Sequence, residues 1–265
     1  AVAWTARLLG EQAVIYMPAE SVNARVEAIR SAGAEVILVE GSYDDCVVRA
    51  QQDATAHGWQ VVSDTSYEGY TTIPRYIMAG YTTMFREIDD ALSPEERDFD
   101  FVFVQAGVGS LLAAAAWYYS STREKRPRII AVEPTQAACV AESIRAGGLR
   151  AASGSLQTIM AGLNCGSVSL IAWPFIENGV DAVFTLSDDF ARQAMRAYYH
   201  PMADDPRIIS GESGAAGLAA LLAIHDAHSL RRARTQLGLD DSSRVLLVNT
   251  EGDTDPENFQ RVARY

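Results

Sequence analysis

The sequence predicts an α/β fold built on parallel sheet, and three observations carry that expectation. Short β-rich apolar runs alternate with amphipathic helical stretches in the order β-α-β-α-β through residue 64. A strand, a glycine turn and a helix follow without a break in "FVFVQAGVGSLLAAAAWYY" (101–119). At 265 residues and 48% hydrophobic content, the chain can bury one large core or two modest ones.

The opening "AVAWTARLLG" (1–10) has apolar residues at helical spacing and ends on Gly10, but starts with neither a Met nor an N-cap residue. It reads as the second half of a helix that begins outside the chain. "QAVIYMP" (12–18) is a buried strand, and 21–34 a helix with Ser21 as its cap and Gly33 near its end. "EVILVE" (35–40) is a second strand, 42–58 a second helix and "WQVVSD" (59–64) a third strand. Residues 73–92 form a long amphipathic helix leading from one unit to the next, and 93–100 a charged surface turn. Beyond the strand-turn-helix come a strand at 128–134, a helix at 137–148 and a loop-rich stretch at 155–166. Residues 170–179 are helical, 180–187 a strand and 188–200 a helix capped by Asp; "SGESGAAGLAALLAIHDA" (210–227) is a glycine turn feeding a helix. The final strand and its exit loop occupy 243–255.

A net charge of −12 argues against nucleic acid and anionic membrane surfaces as partners. No apolar run approaches the ~20 residues of a membrane span, no signal-peptide pattern opens the chain, and a cytoplasmic protein is the default expectation. Cys46, Cys139 and Cys165 are too irregularly spaced for a disulfide framework or a zinc site. His225 and His228 flank a helix end and read as a solvated face.

Four places carry candidate chemistry. Gly107, Val108, Gly109 and Ser110 offer backbone donors at a helix start, a ready site for an anion, although an ordinary βα turn looks the same. A dinucleotide fingerprint would need glycine where Leu112 stands. Asp64 closes the 59–64 run and suits either a general base or a simple chain turn. Glu212 and Ser213 sit in the second glycine turn, where small residues also serve close packing; Thr250 ends the last strand. Of 22 basic residues only Lys125 is a lysine, and "STREKRPR" places it in a solvated turn.

Taken together, "VAWTARLLG", "DTSYEGYTTIPRYIMAGY", "QAGVGSL", "VEPTQAAC", "TIMAGLNCG", "DPRIISGESGAAGL" and "NTEGDTD" resemble fold type II pyridoxal-phosphate enzymes, the tryptophan-synthase-β-like group. Within that group the resemblance is to the diaminopropionate ammonia-lyases. It implies two parallel α/β three-layer domains, an incomplete small one at 1–72 and a large cofactor-binding one at 73–265. It also implies a preceding segment carrying the Schiff-base lysine, a role Lys125 cannot take, so this piece alone is expected to be inactive.

By the same resemblance, Gly107–Ser110 hold the phosphate of pyridoxal 5'-phosphate, Thr250 meets the pyridine nitrogen, and Glu212 and Ser213 line the ring. Asp64 is the base toward one substrate enantiomer. A neutral hydroxyl at the ring nitrogen leaves a weaker electron sink, which suits β-elimination. The implied reaction converts 2,3-diaminopropionate to pyruvate and ammonia, in a homodimer when full length. Serine and threonine dehydratases tend to show Ala-Asp where Met160 and Ala161 stand. A dehydratase and a non-catalytic phosphate- or cofactor-binding domain are the alternatives. Cys139 and Cys165 could meet near the cofactor mouth.

Overall fold

The computed structural model describes residues 1–264. Two parallel sheets organise it. The smaller pairs β1 (Val14–Pro18) with β2 (Glu35–Val39), Val14 opposite Glu35. Around it lie α1 (Val2–Leu9), α2 (Asn23–Ser31) and α3 (Tyr43–His57). Ser42 caps α3 through a capping box: its side chain accepts from the Asp45 amide while the Asp45 carboxylate takes the Ser42 amide.

Three local expectations fail in this part. The first strand, β1, is only half-buried rather than a buried strand. Ser21 does not cap α2, whose N-cap is Val22 without a side-chain bond. Residues 59–64 form no strand, because no neighbouring strand pairs with them and Trp59 and Val62 are 48% and 45% exposed. Side chains serve this backbone instead: the Tyr70 hydroxyl accepts from the Ser63 amide at 2.9 Å and donates to the Val61 carbonyl at 3.1 Å.

The larger sheet has four parallel strands in the order β5-β4-β3-β6, namely Ala182–Leu186, Arg128–Pro134, Phe101–Gln105 and Val245–Leu247. It is covered on both faces. Phe101 and Phe103 of β3, with Ile130 and Val132 of β4, turn to the side of α8 (Asp188–Tyr199), α9 (Ala216–Asp226) and α11 (Pro256–Ala263). Val102 and Val104, with Ile129 and Ala131, turn to the side of α4 (Thr72–Ala91), α5 (Ser110–Thr122) and α7 (Trp173–Gly179). A strand apolar on both faces belongs at the centre of a doubly covered parallel sheet. Each fully buried Val or Ile there contributes about 1.5–3 kcal/mol relative to an exposed one.

Helix α4 belongs to the second of these layers: Met78 and Phe85 are buried in its core, and the Tyr118 hydroxyl and the Arg123 guanidinium of the α5 end both bind Asp89. A short α6 (Cys139–Ala146) follows β4. Helices α10 (Arg231–Leu237) and α11 were not expected from the sequence. The Asp caps proposed for α8 are absent: Ser187 is its N-cap, and Asp188 instead binds the Thr158 hydroxyl and the Ile159 amide. No helix of the described residues is long and apolar enough to cross a membrane.

Candidate active site

At the C-terminal end of the larger sheet the β3–α5 turn opens onto a cleft of about 440 Å³. Open parallel sheets place ligands at this end, where helix N-termini and loops converge. The four cradle residues, Gly107 to Ser110, line it together with Asp64, Gln105, Asn164, Cys165, Ser213, Thr250 and Glu251.

The turn needs its glycines. A Cβ on Gly107 would lie 2.9 Å from the Cys165 sulfur and 3.2 Å from the Gly162 carbonyl oxygen. Gly109 has φ +88°, a conformation that β-carbon-bearing residues rarely adopt. Among the described residues, no backbone carbonyl accepts from the amides of Gly107 to Ser110. Amides without backbone acceptors at a helix N-terminus are the kind of donor set that an anion takes. The turn is pinned from outside: the Val108 carbonyl accepts from the Ser169 amide at 2.8 Å, and the Ser110 hydroxyl donates to the Asp64 carbonyl at 2.7 Å.

That last bond fixes Asp64. Its backbone is tied to the cradle and its carboxylate accepts from the Tyr81 hydroxyl at 3.2 Å. Burial holds the carboxyl above the ordinary aspartate range, partly opposed by the Tyr81 bond. Burial also pushes up the neighbouring Tyr43 phenol, with the Asp64 charge reinforcing it. On the other side of the cleft Thr250 accepts from the Gln105 amide at 2.8 Å. The Gln105 Oε1 and Asn164 Oδ1 are both buried without a partner among the described residues, and both residues line the cleft. Such acceptors are uncommon in folded proteins and invite a ligand donor.

The sequence placed the cradle, Asp64, Ser213 and Thr250 at the cleft, and all of them line it. Glu212 corrects that expectation. It is not among the lining residues. The chain at 211–214 turns its carboxylate away, where it accepts from Arg25 at 3.2 Å and from the Asn258 side-chain amide. Glu251, which the sequence reading passed over, takes the place beside Ser213 and accepts from the Ser213 and Gly214 amides at 2.7 and 3.1 Å. Gln105 and Asn164 were also missed; the polar ending of the apolar 101–104 run was the available signal for Gln105.

Cys139 and Cys165 do come close to the cleft, but as free, buried thiols. Both pack on Gly107, Cys139 donating weakly to its carbonyl at 3.4 Å. Lys125 lies in an exposed bend away from the lining residues, as expected. Among the described residues, no cluster of His, Cys, Asp and Glu could hold a metal.

Known proteins are similar to this chain in sequence and fold. Diaminopropionate ammonia-lyase of Escherichia coli strain K12 is 40% identical over 262 residues, which is 98% of this chain and 66% of that protein. The chain therefore spans about two thirds of the length of that curated relative. A crystal structure of the E. coli enzyme with an aminoacrylate–PLP azomethine reaction intermediate superposes with a TM-score of 0.92 at 39% identity, covering 99% of this chain and 67% of that one. A processed threonine deaminase isoform from Solanum lycopersicum, at 21% identity and a TM-score of 0.77, covers 99% of this chain and 69% of that one and shares the fold. The family model described as "Pyridoxal-phosphate dependent enzyme" matches residues 1–251. The chain belongs to the family of pyridoxal-phosphate-dependent enzymes.

Proposed function

We propose that the full-length protein is a pyridoxal-phosphate-dependent ammonia-lyase that eliminates ammonia from 2,3-diaminopropionate and releases pyruvate and a second ammonia. One observation carries the reading: the anion cradle at 107–110, the Thr250 hydroxyl and the Asp64 carboxylate line a single cleft. The 40% identity to the E. coli ammonia-lyase supports the choice of substrate. So does the Met160–Ala161 pair, where dehydratases tend to carry Ala-Asp.

The residues present fit pyridoxal phosphate. Amides without backbone acceptors suit its anionic tail, and a hydroxyl held by Gln105 suits its ring nitrogen. When bound, the cofactor supplies the electron sink that stabilises negative charge at the substrate Cα. The protein supplies the rest. The amides of Gly107 to Ser110 would hold the phosphate, and the Ser169–Val108 and Ser110–Asp64 bonds keep the turn from relaxing. Thr250 would offer its hydroxyl to the ring nitrogen. Asp64 takes the Cα proton; its partial burial raises its basicity toward the working pH, while Tyr81 keeps it oriented.

Residues 1–72 and 73–265 are proposed as the small and large domains, and the full-length protein as a cytoplasmic homodimer. Three free thiols accord with a reducing compartment. The test uses full-length protein: a visible absorbance band of bound cofactor, and pyruvate from diaminopropionate at a higher kcat/KM than from serine or threonine. Equal or faster turnover of serine or threonine would shift the assignment to a dehydratase. No band and no pyruvate would leave a binding domain.

A further inference from the structure

The two sheets are joined near the cleft by one cation. Arg25, in the first turn of α2 beside the small sheet, donates from Nη2 to Glu212 Oε2 at 3.2 Å and to Glu251 Oε1 at 3.3 Å. Its Nε donates to the Thr254 hydroxyl at 3.1 Å, and Thr254 donates in turn to Glu251 Oε1 at 2.9 Å. The three charged side chains are largely shielded: 19% exposed for Arg25, 3% for Glu212 and 14% for Glu251.

The far side of this cluster is the wall of the cleft. While Oε1 of Glu251 faces Arg25, its Oε2 holds the Ser213 and Gly214 amides, and the Ser213 hydroxyl accepts from the Gly162 amide at 3.0 Å. The two loops are pressed together here: a Cβ on Gly214 would stand 2.2 Å from the Asn249 side-chain oxygen. Ser213, Gly162 and Glu251 all line the cleft, whereas Arg25 does not.

We propose that Arg25 is a positioning residue that seats the 211–214 turn against Glu251 and so couples the placement of α2 to the shape of the cofactor cleft. The chemistry is that of one guanidinium shared by two carboxylates. Two nitrogens of its rigid plane satisfy both carboxylates and a hydroxyl at once, an arrangement that an ammonium on a flexible stem holds less firmly. Without it, Glu212 and Glu251 face each other with no cation between them. Glu212 has few other ways to relax, being buried and bound on its other oxygen by Asn258. Glu251, left with Thr254 alone on that oxygen, is then able to turn toward water and release the two amides.

The coupling is independent of which amino acid is the substrate, so its test does not depend on turnover. Amide hydrogen exchange of full-length holoenzyme is followed by mass spectrometry on peptides covering 210–218 and the β3–β4 core. In Arg25→Met, exchange at 213–214 is expected to quicken at least tenfold with the β3–β4 peptides unchanged. The Kd for pyridoxal phosphate, measured by spectral titration of the apo protein, is expected to rise several-fold. Arg25→Lys is expected to recover part of both effects. Exchange at 213–214 within twofold of the parent overturns the proposal. So does acceleration spread evenly into β3 and β4, which would mark Arg25 as a general structural support. Should Arg25→Met not fold, Arg25→Lys carries the test, with a three- to tenfold local acceleration expected and a change under twofold overturning it.

Discussion

Gln105 closes β3, Thr250 lies just beyond β6, and the Gln105 amide donates to the Thr250 hydroxyl oxygen at 2.8 Å. With a lone pair of that oxygen engaged, the hydroxyl keeps its hydrogen for a further acceptor, and Thr250 lines the cleft. Gln105→Met removes this donor together with a buried oxygen that has no partner. Stability is therefore expected to change by less than about 1 kcal/mol. Affinity for pyridoxal phosphate is expected to fall roughly tenfold, about 1.4 kcal/mol. Thermal melts and spectral titration check the two halves separately.

Gly107→Ala places a methyl group 2.9 Å from the Cys165 sulfur and 3.2 Å from a backbone oxygen. Neither neighbour is the free end of a long flexible chain, so the turn must shift, at a cost on the order of 1–3 kcal/mol. Cofactor affinity is expected to drop tenfold or more. Cys165→Ala added to Gly107→Ala removes the closer contact and is expected to restore part of that loss in an equilibrium titration.

Asp64→Asn is expected to lower kcat by about two to four orders of magnitude, the usual range for a lost proton-transfer group, while cofactor binding persists. Burial raises the Asp64 carboxyl and the Tyr81 bond lowers it. The acidic limb of the kcat/KM profile is accordingly expected above the ordinary aspartate range. Tyr81→Phe removes the lowering contribution, so the limb should move to still higher pH. A pH–rate comparison of the two proteins decides the sign.

Glu133 is fully buried on β4, accepts from the Val140 and Ala141 amides at 2.8 Å each, and is pushed up to about 7 by burial. The native state then holds a proton that the unfolded chain has released between about pH 4.5 and 7. Its contribution to stability is present in full below the unfolded value and is lost as pH rises through the folded one, on the order of 3 kcal/mol across the window. Carboxylates with lowered values, such as Asp45, tilt the profile the other way. The measurement is therefore the difference in urea stability between the parent and Glu133→Gln, which is expected to shrink as pH rises from 4.5 to 7.

The fold was legible where one physical cause decided the outcome. A fully apolar run ending in a glycine turn and a Leu/Ala stretch could only be β3, its turn and α5. Residues 59–64 have the same β-rich pattern, but a strand also needs a neighbour, and no pattern within one segment reports that. Helix α11 did carry a readable signal in Asp255, which accepts from the Asn258 amide, followed by Pro256 in the first turn. The site divides in the same way. Backbone donors follow from glycine spacing, so the cradle could be placed. The direction of the Glu212 carboxylate depends on Arg25, distant in sequence, and only the assembled fold reveals it.

The doubly covered β3 has a consequence for how the chain finds its alignment. Because Phe101, Val102, Phe103 and Val104 are apolar toward both layers, alternation of side chains gives the strand no preferred offset against β4 and β6. What marks the offset against β6 is the strand's polar tip, where Gln105 must reach Thr250. The groups proposed to receive the phosphate and the ring thus double as an alignment key, and sequence drift at this end of the strand would first show as mispaired strands.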